Sequence, residues 1–135
     1  MRYMMLVYSA EGPDGMDAAE AERIRAGHAL VIEEAKQKGV LEGCEPLAPT
    51  ATATTVRKQD GKVLVTDGPF AETKEQLAGY YIINCENLDE AIEWAAKIPT
   101  QCQGRPGSIE IRPMRWQRIP AESDAVLHNA VSVNG

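Results

Sequence analysis

Two side chains of this sequence are of the types that move protons in proteins, His28 and Asp67. An imidazole gains and loses a proton near neutral pH, and a carboxylate beside it fixes its tautomer and raises its basicity. The two residues lie far apart along the chain, so only the fold can bring them together. The elements that carry them therefore decide whether they form a catalytic pair.

His28 lies on a predicted helix that covers residues 17 to 38. Ile24, Val31 and Ala35 recur at helical spacing, and His28 falls on the same stripe, which we expect to face the core. A histidine on such a stripe is commonly a hydrogen-bonded packing residue. Two interpretations therefore stay open, a structural histidine and a catalytic one.

Asp67 ends a strand-like run in the segment VTDGPFAETKEQL. The preceding Asp60-Gly61 pair predicts a two-residue type I′ turn, and this register pairs Thr54 with Asp67. Because side chains alternate along a strand, Asp67 then shares a face with Val63 and Val65. We expect that apolar face, and the carboxylate with it, to point inward.

A rigid corner is the alternative interpretation of the same segment. Asp67 would accept hydrogen bonds from backbone amides, Gly68 would adopt a positive φ, and Phe70 would fill the core. In the catalytic interpretation the same rigidity holds Asp67 at the mouth of a cleft. His28 and Asp67 would then act as an acid-base pair without a metal or an organic cofactor.

Other groups have weaker patterns. The tyrosines of the two central strands would either line a pocket with their hydroxyls or pack in the core: Tyr3, Tyr8, Tyr80 and Tyr81. The three cysteines are widely spaced and form no C-x-x-C pair, so they predict neither a disulfide framework nor a zinc site.

The elements along the chain follow the order strand, helix, strand, hairpin, strand, helix, strand. The predicted ranges are strand 2–8, helix 17–38, extended piece 40–45, the hairpin around residue 60, a short helical turn at 71–78, strand 79–85, a helix between Asn87 and Pro99 with Trp94 at the edge of its core stripe, and strand 108–112. Split βαβ crossovers of this kind predict an α+β, ferredoxin-like sandwich with an added hairpin. Both helices would cover one sheet face, and we expect the bare face to close a homodimer.

Composition bounds the class of protein. The chain has 135 residues, enough for one domain, and a net charge of −6, which disfavours nucleic acid and anionic membrane surfaces as partners. No apolar run has the length of a membrane span, and the apolar opening is too short for a signal peptide, so we expect a cytoplasmic protein. Residues 117 to 135 lack periodicity and are predicted to be a tail, loose or docked on a partner subunit.

The string TDGPFAETKEQLAGYYII, with the later LDEAIEWAAKIP and GSIEIRP, resembles the YCII-related family in its DGPF branch. The resemblance covers residues 1 to about 115, so residues 1–116 are expected to form one YCII-related domain. It implies a dimeric α+β barrel. It also matches His28 to the family's histidine on the first helix, whereas Asp67 is supported only by the hairpin register.

The resemblance implies two classes of function. Some relatives look like cofactor-independent enzymes, including a dehydrochlorinase, which would make this chain an isomerase, lyase or dehydrochlorinase-like enzyme with His28 as base and Asp67 as its orienting acid. Members of the branch are also encoded beside sigma factors. The alternative is therefore a non-catalytic module that binds a small molecule or associates with a sigma factor.

Overall fold

The computed structural model describes residues 1–11 and 16–115 of the chain. Its elements in chain order are β1 (Arg2–Ser9), α1 (Ala18–Gln37), β2 (Leu41–Pro46), a 3₁₀ turn (Thr50–Thr52), β3 (Thr54–Gln59), β4 (Lys62–Asp67), β5 (Gln76–Asn84), α2 (Leu88–Lys97) and β6 (Ser108–Pro113). The predicted order of strands and helices is confirmed. The predicted tail over residues 117 to 135 lies outside the described residues.

Four of the strands form one antiparallel sheet in the order β2-β5-β1-β6. β1 and β2 are joined through α1 but have β5 between them, and β5 and β6 are joined through α2 with β1 between them. Each of these units is a split βαβ crossover, and two interleaved units define the ferredoxin-like fold. The predicted α+β class and ferredoxin-like architecture are therefore confirmed.

The core lies between one face of this sheet and both helices. Because side chains alternate along a strand, every second residue of β1 and β5 faces the helices. The buried cluster comprises Tyr3, Met5, Val7, Val31, Ala35, Tyr81, Ile83, Cys85, Ala91, Trp94 and Ile98. The members on α1 are those that helical periodicity placed on the core stripe.

Both helices begin at side-chain caps. The Asp17 carboxylate accepts a hydrogen bond from the Glu20 amide at 2.8 Å, and the Asn87 side chain accepts one from the Glu90 amide at 2.9 Å. Each cap pairs with one of the backbone donors that the first turn leaves without an intrahelical partner. The caps fix where each helix starts and hence which residues face the sheet.

The orientation of α2 differs from the prediction. Trp94, expected at the edge of the core stripe, is buried, whereas Leu88 and Ile92 are 51% and 50% exposed. The Trp94 ring packs into the core and lies beneath the ammonium groups of Lys97 and Lys38, at 4.6 and 5.5 Å from its centroid. Burying the large ring rotates the two aliphatic residues outward.

The second face of the sheet carries a smaller apolar patch. Met4 and Leu6 of β1 lie beside Ile82 and Tyr80 of β5 in the register of the sheet, and all four are only half-buried. The flanking strand β6 contributes Glu110 and Arg112 to the same face, and both are exposed. We call this patch, Met4, Leu6, Tyr80 and Ile82, the open sheet face.

The predicted hairpin is confirmed in position and register. β3 and β4 pair Thr54 with Asp67 and Val56 with Val65 across a turn in which Asp60 and Gly61 have φ of 51° and 75°. Two consecutive positive φ angles are the signature of a type I′ turn, which the Asp-Gly pair favours.

The surroundings of this hairpin differ from the prediction. β3 and β4 form a separate two-stranded sheet, and every residue of β4 is exposed. Val65 is 62% exposed and Phe70 is 78% exposed, so neither the inward apolar face nor the plugging phenylalanine is present. The pleat groups Asp67 with Val63 and Val65 as predicted, but that face meets no core.

Two further features complete the fold. The prediction of a short helical turn at residues 71 to 78 is wrong, because this segment is a bend that leads into β5 at Gln76.

Among the described residues, no helix combines the length and the apolar character that crossing a membrane requires.

Candidate functional site

His28 faces a cavity between α1 and the sheet. Ile24, His28 and Ile32 lie four residues apart, so they form one row along α1, and all three line the cavity. The His28 side chain is half-buried there. The predicted inward position of His28 is confirmed.

The partner of His28 is a tyrosine. Nδ1 of His28 and the hydroxyl of Tyr81 share a hydrogen bond of 2.5 Å, and the two rings stack with centroids 5.9 Å apart and an angle of 19° between their planes. Tyr81 is 2% exposed. A buried hydroxyl requires a hydrogen-bond partner, and His28 supplies it.

Cys44 completes the cluster through an irregularity in β2. Leu41 pairs with Ile83 and Cys44 pairs with Tyr81, with a register shift between Leu41 and Gly43. Residues three apart in a regular strand face opposite sides, so only this bulge lets both Leu41 and Cys44 face the helices. The Cys44 thiol thereby comes within hydrogen-bond reach of the Tyr81 hydroxyl.

The cavity has a volume of about 490 Å³. Its wall is largely apolar and is built from α1, the ends of β1, β2 and β5, and the loop after α2. The lining residues are Val7, Ser9, Met16, Ala21, Ile24, Arg25, His28, Ala29, Ile32, Cys44, Glu45, Pro46, Ala78, Gly79, Tyr80, Tyr81, Pro99, Thr100, Gln101 and Cys102. An apolar cavity of this size with a few convergent polar groups is typical of a site for a small organic molecule.

Two glycines allow the walls to approach each other. A Cβ on Gly27 would come within 2.7 Å of the Pro99 ring, so α1 can approach the loop after α2 only because this residue is glycine. A Cβ on Gly79 would lie 2.8 Å from the Glu45 carbonyl oxygen, so the ends of β2 and β5 need glycine there as well. Both contacts border the cavity, and they set its width.

Burial shifts the proton equilibria of the cluster toward neutral forms. It lowers the pKa of His28 below its ordinary value, because the charged imidazolium is poorly solvated there. It raises the pKa of the Tyr81 hydroxyl well above its usual range, and the adjacent Cys44 adds to this shift. It also raises the pKa of Cys44, although the hydrogen bond with Tyr81 opposes this change. At neutral pH the cluster therefore holds a neutral imidazole beside a protonated hydroxyl and a protonated thiol.

Asp67 is not part of this site. It is exposed at the end of β4, it does not line the cavity, and no hydrogen bond or ion pair among the described residues joins it to His28. The prediction that the Asp67 carboxylate points inward is therefore wrong, because the hairpin that carries Asp67 is separate from the four-stranded sheet. Tyr81 occupies the position of hydrogen-bond partner that was predicted for Asp67.

Tyr81 was among the tyrosines that the sequence offered as pocket residues, but its pairing with His28 was not predicted. The alternation in GYYIIN places Tyr81 and Ile83 on one face, and that signal was available. The choice of facing residue on α1 depends on how far the helix is displaced along the sheet. The position of Cys44 was not predicted, although Gly43 inside β2 is a sequence signal for the bulge that turns Cys44 toward the helices.

The described residues hold no cluster of three or more histidine, cysteine or acidic side chains arranged to bind a metal ion. The three thiols, Cys44, Cys85 and Cys102, are free and partly or fully buried. Burial raises the pKa of each, so all three are poor nucleophiles at neutral pH.

Together the sheet order, the two helices and the cavity define a ferredoxin-like α+β protein with a histidine-tyrosine pair in a small-molecule-sized cavity. The chain belongs to the YCII-related family, because the model of the YCII-related domain matches residues 1–116. It is also similar to an uncharacterized protein of Rhizobium meliloti (strain 1021), with 38% identity over 115 residues that span 84% of this chain and 92% of that relative.

Proposed function

We propose that the protein binds a small, largely apolar organic molecule in the cavity and that His28 moves a proton on it. The observation that carries the proposal is the 2.5 Å hydrogen bond between Nδ1 of His28 and the Tyr81 hydroxyl at the wall of a largely apolar cavity. An apolar enclosure strengthens each polar contact made inside it, so one oriented imidazole has a large effect on a bound molecule.

The proposed step uses the neutral imidazole. Nδ1–H donates to the Tyr81 oxygen, which leaves the lone pair of Nε2 for the ligand. Nε2 takes a proton from a carbon next to a carbonyl or on an activated ring, and the electron pair of that C–H bond stays on the ligand. The imidazolium then returns the proton to a different carbon, which is an isomerisation, or the electron pair expels a leaving group, which is an elimination.

Deuterium incorporation tests this step without knowledge of the substrate. A small-molecule extract incubated with the protein in D₂O would contain at least one compound that gains deuterium on carbon, by isomerisation, or that loses a hydrogen and a leaving group, by elimination, and mass spectrometry detects both changes. His28→Gln would abolish the change, and His128→Gln, which changes the other histidine of the chain, would retain it. An extract in which neither change occurs, or in which the same change occurs with His28→Gln, would refute the proposed chemistry.

A second candidate function is binding without chemistry. One observation favours it: among the described residues, His28 makes no hydrogen bond or ion pair with a carboxylate, so no acid raises its basicity. In this case Tyr81 donates to Nδ1 and the proton of the imidazole lies on Nε2, as a donor to a ligand. Nitrogen-15 NMR of the unliganded protein separates the two functions: an unprotonated Nε2 supports the base, and a protonated Nε2 supports the binding module. An association with a sigma factor stays a prediction, which co-purification would test.

We further propose that the open sheet face closes a homodimer. Its four apolar residues lie on central strands and are only half-buried, and a patch of this kind is commonly covered by a second copy across a two-fold axis. Light scattering after size exclusion should give twice the chain mass. Leu6→Lys should give a monomer with unchanged far-ultraviolet circular dichroism, and Leu30→Lys, on an exposed position of α1, should leave the dimer intact. A wild-type monomer at micromolar concentration would contradict the proposal.

A further inference from the structure

A second cavity adjoins the first near the N-terminal end of α1. It has a volume of about 540 Å³, and Ile24, Pro99, Thr100 and Gln101 line both cavities. The two spaces are therefore adjacent, with Ile24 of α1 and the loop that follows α2 between them. A single molecule that occupied both would pass over these four shared residues.

The two cavities differ in chemistry. The wall of the first is largely apolar, although Arg25 and Glu45 are among its lining residues. The second is lined by Glu20 and Arg23 and has only Ile24 and Pro99 as apolar side chains. Thr100 and Gln101 contribute further polar atoms at the junction. A molecule that fills both spaces would need an apolar body at one end and a polar group at the other.

Arg23 is the group that defines the polar end. Within residues 1–11 and 16–115 its guanidinium makes no ion pair and no hydrogen bond. Arg25 at the edge of the first cavity differs, because it pairs with Glu22. A guanidinium without a protein partner offers its planar set of N–H donors to a carboxylate or another oxyanion.

Glu20 is the acidic neighbour in the second cavity, and its charge opposes an anion there. The carboxylate is half-buried and accepts a hydrogen bond from the backbone amide of Gln103. It therefore has a structural partner, whereas Arg23 has none within the part of the chain that the structure describes. We expect Glu20 to weaken anion binding without preventing it, and this makes its removal informative.

We propose that the two cavities together bind one amphipathic, anionic molecule, whose apolar body lies beside His28 and Tyr81 and whose acidic group is held by Arg23. The inference rests on the proposed function, because it uses the same cavity, and it adds the ligand's charge and the position of its acidic end. In a chain with a net charge of −6, a cation at the cavity offsets the repulsion that the protein exerts on an acidic group.

A matched pair of fluorescent probes tests the proposal. 1-Anilinonaphthalene-8-sulfonate and N-phenyl-1-naphthylamine share one aromatic body, and only the first carries an acidic group. Arg23→Gln should weaken binding of the sulfonate probe about five- to tenfold and leave the neutral probe unchanged, as expected for one charge-assisted contact. Glu20→Gln should strengthen binding of the sulfonate probe and again leave binding of the neutral probe unchanged. Arg57→Gln, at an exposed position of β3 in the separate hairpin, is the control and should change neither.

Blocking the cavity shows where the probes bind. Ala29 lines the first cavity from an exposed position on α1, so Ala29→Trp should fill the space while the helix stays folded, and both probes should lose binding. If both probes bind Ala29→Trp as they bind the wild type, they occupy another surface, and both this inference and the proposed function are contradicted.

The remaining outcomes separate the two proposals. If Ala29→Trp blocks binding of both probes but Arg23→Gln does not selectively weaken binding of the sulfonate probe, the proposal that Arg23 holds the ligand's acidic group is wrong, and the proposed function stands. If Arg23→Gln selectively weakens binding of the sulfonate probe while the D₂O experiment finds neither deuterium on carbon nor an elimination product, the anionic ligand is supported and the proton transfer is refuted.

Discussion

The four-stranded sheet and the β3–β4 hairpin have equally clear strand patterns, yet only the sheet encloses a core. In β5 the alternate residues Tyr81 and Ile83 are buried beneath the helices, whereas in β4 Val63 and Val65 alternate in the same way and remain exposed. The pleat decides which side chains share a face in both regions. What that face meets depends on elements elsewhere in the chain.

The same difference explains the two predicted site residues. His28 lies on a stripe with Val31 and Ala35, and a helix packed on a sheet has to turn that stripe toward it. Asp67 lies on a hairpin whose two strands pair only with each other in the sheet order. The sequence pattern of the hairpin therefore does not determine what its apolar face packs against. Helical periodicity therefore located a residue that lines the cavity, and strand periodicity in an isolated hairpin did not.

Truncating one aliphatic residue in each region should give the largest contrast. Ile83→Ala removes a fully buried side chain and should lower the free energy of unfolding by about 2 to 5 kcal/mol. Val65→Ala, at 62% exposure, should lower it by less than about 0.5 kcal/mol. Urea denaturation followed by circular dichroism measures both.

The hairpin variant carries the sharper information. A lone two-stranded hairpin is marginal in water, so a partner surface would stabilise β3 and β4. If Val65→Ala costs more than about 2 kcal/mol, and the cost rises with protein concentration, the hairpin is packed in an oligomer and the contrast between the regions fails.

Adding a methyl group at a glycine in each region should give the next largest difference. A Cβ at position 79 would meet the Glu45 carbonyl oxygen at 2.8 Å, so Gly79→Ala should cost about 1 to 3 kcal/mol of global stability and narrow the cavity. At Gly61 the Cβ meets open space, and only the positive φ of 75° opposes it. Gly61→Ala should increase hydrogen exchange in β3 and β4 and leave exchange in β5 unchanged. Faster exchange in β5 would show that the hairpin and the sheet unfold together.

Local signals predicted much of the fold and less of the site. The Asp60-Gly61 pair determined a turn and its register, and Asn87 determined the start of α2, because each acts on backbone atoms within a few residues. The bulge in β2 that brings Cys44 to Tyr81, and the burial of Trp94, depend on packing between distant elements. A pairing such as His28 with Tyr81 therefore requires the assembled sheet.

Removing a single polar group from each region should have a smaller effect. Tyr81→Phe leaves Nδ1 of His28 without its partner and should cost about 1 kcal/mol, and it should change the tautomer populations of His28 in nitrogen-15 spectra. Asp67→Asn should leave both the stability and those spectra unchanged, because Asp67 is exposed and does not line the cavity. A change in the His28 signals on Asp67→Asn would restore the predicted pairing of the two residues.

The pH dependence of stability should show the smallest effect, and it concerns His28 alone. Burial lowers its pKa in the folded state below the ordinary value of 6.5, so the unfolded chain binds the proton first as the pH falls. The stabilisation is therefore present above about pH 6.5 and is lost as the pH falls toward the folded pKa. Because the ring is half-exposed and solvent screens its charge, the loss should be small. Urea denaturation of the wild type and of His28→Gln between about pH 7.5 and about pH 5.5 isolates the contribution of His28, because the two proteins have all other titrating groups in common. The wild type should lose more stability over this range than His28→Gln, and equal losses would mean that the imidazole is as well solvated as the side chains of the hairpin.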